Sequence, residues 1–380
     1  MNILFVTHYS SMYGANKSLF QLIIDLREKY DISPIVLVPE EGELIQELKK
    51  EKIEYIISKF YPWVYKGKIG FIKGIIKEII NIYYLKKILF KIKNIPLHLV
   101  HTNSSVVNIG AKIAKNQSLK HIWHIREYGK EDYNLDFLYG IKNAGKYFEK
   151  NSDKVISISE SITKKYSKYI SESKIKTIHN GITTKLINFN DKKVMGKINF
   201  GVLGLLHENK NQLEILKAIK ILKEKYQKED FTLQIIGSGD ISYENLLKKF
   251  VKDNNLRNFV IFLGYKNDIK EVLKDIDIGI ISSKKEAFGR VTIEFMLNKI
   301  PVIGTNSGGT KEILNEECGF LYEVDNPQSL ASYMNFFIEN KIVIKEKGKK
   351  AQMRALENFT SEKNSEKIYE LYKSILEGEN

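Results

Sequence analysis

Residues 284–296 read KKEAFGRVTIEFM, and the two ends of this stretch differ in character. It begins polar and loop-like, passes through Gly289, and ends as an apolar run at helical spacing. Immediately before it, DIGIISS (277–283) is the short apolar segment of a buried strand. Immediately after it, IPVIGTNSGG (300–309) supplies another strand and a glycine turn. The order strand, loop, helix, strand predicts a parallel sheet covered by helices. In such sheets ligands sit beyond the carboxyl ends of the strands, which is where this loop falls. The spacing puts Glu286 in the loop and Glu294 in the first helical turn. A helix start preceded by glycine offers backbone N–H groups and a positive dipole end to a phosphate, with Gly289 allowing close approach. Glu294 is then suited to accept from a ribose diol, and Glu286 from another polar part of the same ligand. Taken alone, the pair also reads as a first-turn acid and a solvated loop glutamate.

The same alternation runs outward in both directions. NILFVTH, ISPIVLVP, LHLVHTN, KHIWHI, DKVISIS and KTIHNG read as strands separated by helical segments. Residues 183–197 read as a linker, after which INFGVLG, FTLQIIGSG, NFVIFLG and DIGIISS restart the pattern. SEKNSEKIYELYKSIL, near the chain end, has the spacing of an amphipathic helix. The expected architecture is two α/β domains, 1–182 and 183–358, facing each other across a cleft, with 359–380 packing back on the first. A length of 380 residues agrees with two domains.

Composition narrows the function. No apolar run is long enough for a spanning helix, and MNILFVTHYS lacks the features of a signal peptide. A single cysteine, Cys318, argues against disulfides and fits a reducing cytoplasm. Cys and His are too sparse for a structural zinc site. Asp275 and Asp277 precede a strand rather than follow one, so a helix-end or turn role is preferred to a metal role. The net charge is +14, and residues 1–180 hold 29 Lys and Arg against 18 Asp and Glu. A basic first half suggests a polyanionic partner, although lysine is abundant throughout the chain.

Further turns share the loop's chemistry. GVLGLLHENKNQ (201–212) follows a strand and brings Lys210 within reach of phosphate. QIIGSGD ends a strand in a tight turn, GTNSGGTKEIL is a glycine loop entering a helix, and IHNGI closes the first domain. Together with Glu-x7-Glu around Phe-Gly, these motifs resemble the retaining GT-B glycosyltransferases, over nearly the whole chain and most densely at 179–324.

The resemblance implies roles for particular residues. Glu294 matches the glutamate that holds the donor ribose, Glu286 the one beside the transferred sugar, and Lys210 the diphosphate-binding lysine. Phe288, Gly289, Arg290 and Val291 match the segment whose amides cover the phosphates. Gly14 matches a glycine turn near phosphate and acceptor, His124 the first-domain histidine over the donor sugar, and Asn180 with Gly181 the domain junction. Leu205 departs from the family, which usually has arginine there; Arg290 is a candidate replacement. YGAN stands where a Gly-Gly pair is common. The implied activity is a metal-independent, retaining transfer from a nucleotide-diphosphate sugar, UDP by default, to a glycan acceptor, expected to be lipid-linked and polyprenyl-borne. Neither cofactor nor nucleic acid is expected, and bacterial surface polysaccharide assembly is the implied setting. A non-catalytic partner protein of the same fold is the alternative. A nicotinamide oxidoreductase would need G-x-G-x-x-G after the first strand, and THYSSMYGAN does not supply it. A glycoside hydrolase would use the two glutamates as a carboxylate pair but leaves Lys210 and the glycine loops without a purpose.

One segment stands apart. Residues 66–93 hold eight lysines and one glutamate, with Ile75, Ile76, Ile79, Ile80, Tyr83 and Tyr84 at helical spacing. This pattern suits either a helix packed on its sheet or a basic helix lying on an anionic membrane. The second reading predicts a cytoplasmic enzyme peripheral to the inner face of the cell membrane.

Overall fold

The structure, a computed structural model, describes residues 1–187 and 196–378. The expected linker at 183–197 therefore lies mostly outside the described residues, as do the last two positions of the segment 359–380. The chain forms two compact units, Met1–Gly181 together with Ser361–Asn380, and Ile182–Thr360.

In the first unit the strands are β1 (Asn2–Thr7), β2 (Ser33–Val38), β3 (Glu54–Ile57), β4 (Val64–Tyr65), β5 (Leu99–Asn103), β6 (Lys120–Ile125), β7 (Asp136–Phe137), β8 (Lys154–Ser157) and β9 (Ile175–Thr177). Seven make a sheet in the order β3-β2-β1-β5-β6-β8-β9, parallel throughout, while β4 and β7 pair antiparallel. Helices cover both faces, so even the central strands β5 and β6 are buried almost throughout, and they place polar side chains such as His101, Asn103 and His124 in that interior. Along β1, Ile3 and Phe5 face one layer and Leu4 and Val6 the other. The Ile3 side packs on the helices Gly14–Tyr30 and Ser361–Glu377, the latter contributing Ile368, Leu371, Tyr372 and Ile375. The Leu4 side packs on Ile88, Ile92, Ile109 and Ile113.

The second unit holds β10 (Ile198–Leu203), β11 (Phe231–Ile236), β12 (Val260–Gly264), β13 (Ile278–Ile281), β14 (Val302–Thr305) and β15 (Gly319–Tyr322). Their order is β12-β11-β10-β13-β14-β15, again parallel. The strand order reverses direction between β10 and β13, the kind of switch point at which loops diverge and leave room for a ligand.

The segment 66–93 is a 26-residue helix, Gly67–Ile92. It buries only Gly74, Asn81, Ile88 and Ile92, and leaves most of its isoleucines in contact with solvent.

Candidate active site

In the second unit, three loops meet at the carboxyl ends of β10, β13 and β14. The loop after β13 is laced to the loop after β10: Ser282 Oγ donates to the Lys210 carbonyl (2.6 Å), and the Lys284 N–H donates to the Asn209 carbonyl (2.9 Å). Lys210 ends a single 3₁₀ turn, Glu208–Lys210, and its Nζ donates to Glu286 Oε2 at 2.6 Å. Ser283 Oγ donates to the same oxygen at 2.8 Å. Burial opposes ionisation of Glu286, but the Lys210 ammonium and the two hydrogen bonds outweigh it and hold the carboxyl below its ordinary range. The lysine side chain keeps 38 % of its surface exposed against 17 % for the glutamate, so Lys210 has room for a second anion.

The loop after β14 closes over this pair by backbone contact. Gly309 N–H donates to the Glu286 carbonyl (2.8 Å), and Gly308 lies at φ 52° with its α-carbon so placed that a Cβ would come within 2.2 Å of the same oxygen. Only glycine fits there, which gives GTNSGG its physical reason.

Gly289, at φ 108°, ends the β13 loop, and the helix Arg290–Leu297 begins at the next residue. Its first turn carries no acid; Glu294 is the fifth residue and lies in the second turn, not in the first as the spacing predicts. The helix starts at Arg290, one residue before the apolar run VTIEFML, and that extra residue carries Glu294 past the first turn. The consequence is an i,i+4 contact, Arg290 Nη2 to Glu294 Oε1 at 3.7 Å, both side chains largely buried. Phe288 is buried against Phe359 and anchors the loop from below. Val291 is half-buried in the helix's first turn. Leu205 is half exposed where the resembling family has an arginine.

In the first unit, Gly14 is exposed and opens the helix Gly14–Tyr30. The preceding turn is pinned by buried Asn16, which accepts from Thr7 Oγ1 (2.6 Å) and donates to the carbonyls of Tyr9 and Ser11. His124, near the end of β6, is fully buried. Its Nδ1 faces His101 Nε2 (3.1 Å) and Arg126 Nη2 (3.3 Å). Arg126 also donates to Asn103 Oδ1 and, at 2.5 Å, to Asn180 Oδ1, which fixes Asn180 beside Gly181 at the end of the unit. Glu127 is buried and accepts from both hydroxyls and one amide of Ser104 and Ser105; burial pushes its carboxyl upward.

The structure thus pairs Lys210 with Glu286 across neighbouring loops of one unit and Arg290 with Glu294 on the helix that follows, and gathers His124, Asn180 and Asn103 around Arg126 in the other. Sequence reasoning missed Ser283, Asn16, Arg126 and Glu127. Strand alternation carries the signal for Arg126, two residues beyond His124 and so on the same side of the sheet. Asp277 accepts from the Asn199 N–H (2.8 Å), tying β13 to β10. Among the described residues no three His, Cys, Asp or Glu side chains cluster as a metal site.

Two Rossmann-like units with a basic and acidic loop cluster at strand ends define a GT-B glycosyltransferase. The chain belongs to that class by family as well: residues 13–186 match Glycosyltransferase Family 4 and residues 184–358 match Glycosyl transferases group 1. It is 27% identical over 368 residues to the Escherichia coli UDP-Gal:alpha-D-GlcNAc-diphosphoundecaprenol alpha-1,3-galactosyltransferase, covering 91% of this chain and 89% of the relative. It is 26% identical to N-acetyl-alpha-D-glucosaminyl L-malate synthase of Bacillus anthracis over 62% of this chain and 63% of that one. Among solved structures, Anabaena HepE in complex with UDP superposes with a TM-score of 0.81 at 19% identity, over 98% of this chain and all of the other. The same protein with UDP-glucose gives 0.79 at 20% identity, with the same shares covered.

Proposed function

We propose that the chain transfers a sugar from a UDP-sugar to a glycan carried on a polyprenyl diphosphate lipid, with retention at the anomeric carbon and without a metal ion. The observation that carries this reading is the Lys210–Glu286 pair. A half-exposed ammonium is held at the mouth of a glycine-lined loop, beside a carboxylate kept ionised for a sugar hydroxyl. In the transfer, the bond from the anomeric carbon to the β-phosphate oxygen breaks and a bond to the acceptor oxygen forms. The acceptor's proton passes to the departing diphosphate, whose growing charge Lys210, Arg290 and the amides of 288–291 stabilise as preorganised donors. Glu294 accepts from the ribose, with Arg290 holding it in place. In a helix the acid-first order gives the better i,i+4 pair, so the reversed order here is better explained by a ligand than by helix stability. Gly14 and His124 are the first unit's proposed contacts, to phosphate and to the transferred sugar.

The acceptor lipid has a proposed seat. On the helix Gly67–Ile92, Ile69, Ile72, Ile76, Ile79, Tyr83 and Phe90 recur in steps of three, four or seven and are 53–73% exposed. At 3.6 residues per turn they lie opposite the buried Gly74, Asn81, Ile88 and Ile92. Lys73, Lys77 and Lys91 border the row on one side and Lys68 and Lys86 on the other. An apolar row between lysines complements an anionic bilayer surface, and we place the enzyme there, on the cytoplasmic leaflet. No helix among the described residues is long and apolar enough to cross a membrane.

Thermal stabilisation by a panel of nucleoside diphosphates, followed by NMR of the product's anomeric configuration, tests the reaction. UDP is expected to stabilise most, and the product to keep the donor's α configuration. An inverted product, or no response to any nucleoside diphosphate, overturns it.

A further inference from the structure

The first unit contains a hydrogen-bond chain whose direction is set at its Arg126 end. Tyr372, in the helix Ser361–Glu377, meets His101 Nδ1 at 2.7 Å. His101 Nε2 meets His124 Nδ1 at 3.1 Å, and Arg126 Nη2 meets that same Nδ1 at 3.3 Å. Tyr372, His101 and His124 are entirely buried. A guanidinium only donates, so His124 Nδ1 carries no proton. His101 Nε2, facing that lone pair, must then carry one. A neutral imidazole holds a single N–H, so His101 Nδ1 is bare and accepts the tyrosine proton. His124 is left with its proton on Nε2, and this buried N–H has no partner among the described residues. Burial, reinforced by Arg126, disfavours the charged form of both rings.

We infer that Arg126 is a positioning residue that locks His124 as an Nε2–H donor, with His101 and Tyr372 completing the chain behind it. His124 then serves the transfer as a hydrogen-bond donor to a sugar oxygen and not as a base; this second statement rests on the site reading above. An orphaned buried donor costs about 1–3 kcal/mol unless it meets an acceptor, and a sugar hydroxyl would meet that need.

His121, three residues earlier on β6, provides an internal contrast. Its Nδ1 faces the Asn151 carbonyl (2.7 Å) and its Nε2 the Thr102 hydroxyl (2.8 Å), so it holds the opposite tautomer, Nδ1–H.

The test is long-range proton–nitrogen NMR on full-length protein labelled with ¹⁵N at histidine, assigned through single histidine substitutions. The expected pattern is Nε2–H for His101 and His124 and Nδ1–H for His121. Finding His124 as Nδ1–H overturns the inference, whatever the donor sugar proves to be. In Arg126→Met the His101 and His124 signals should become those of mixed tautomers, while kcat falls about tenfold and donor KM stays within about twofold. A variant with unchanged His101 signals and unchanged kcat overturns the positioning role. The wild-type nitrogen signals decide the tautomers even where the methionine variant folds poorly.

Discussion

At the scale of single residues, the two glutamates have different proposed roles and should fail differently. Glu294→Ala is expected to weaken UDP binding by about 1.5–3 kcal/mol, the worth of a hydrogen bond to a charged group, because the proposed ribose contact does not need the sugar. Glu286→Ala should leave UDP affinity nearly intact and abolish most transfer. Isothermal calorimetry and initial rates separate the two; full transfer by the Glu286 variant would remove its assignment. Arg290→Ala and Lys210→Ala should each lose affinity for UDP but not for uridine. The Arg290 variant should in addition resemble Glu294→Ala, since it releases the 3.7 Å contact that holds that carboxylate. Undiminished UDP affinity in Arg290→Ala would mean that the arginine missing at Leu205 has no substitute.

At the scale of elements, the helix Gly67–Ile92 makes the clearest prediction. Replacing Lys73, Lys77, Lys86 and Lys87 with glutamine should lower binding to phosphatidylglycerol vesicles by up to about a thousandfold, at about 1 kcal/mol per lysine. UDP affinity should be unaffected, and high salt should mimic the substitutions. No sedimentation of the wild type with anionic vesicles at low salt, or burial of the same face in a stable dimer, would defeat the membrane seat. This helix also shows where the sequence stopped being informative. Its periodicity gave the helix, but an apolar row looks the same whether it meets a sheet or solvent; only packing identified Gly74, Asn81, Ile88 and Ile92 as the inward side. Strands with long apolar runs, such as β1, β2 and β10, were legible, whereas β4 and β7 are two-residue pairings that no periodicity reveals. In the site, motif spacing located Lys210 and both glutamates. It placed Glu294 one residue too near the helix start, because that start is set by Gly289, which caps the helix directly before Arg290. It also passed over Arg126, whose role comes from partners far away in sequence.

For the whole molecule, acid should act unevenly. His8, His101, His121 and His124 all belong to the first unit, and burial lowers each of their pKa values, His8 to about 3 and His121 to about 4. A depressed folded-state pKa means that the unfolded chain takes up protons first, so stability is full above about pH 6.5 and falls as pH drops towards 4. His121 alone accounts for on the order of 3 kcal/mol across that window. Calorimetry between pH 7 and 4 should show the first unit's transition moving down faster than the second's; equal shifts would contradict this. The same unit is assembled from both ends of the chain, since Ser361–Glu377 packs against β1's neighbours through Ile368, Leu371, Tyr372 and Ile375. During translation the ribosome therefore releases the later unit's sequence, Ile182–Thr360, before the earlier one can be finished. A nascent or prematurely terminated chain presents an uncovered sheet to chaperones and proteases. A stop codon that removes only the final helix should be as harmful to protein abundance as one deep inside the gene.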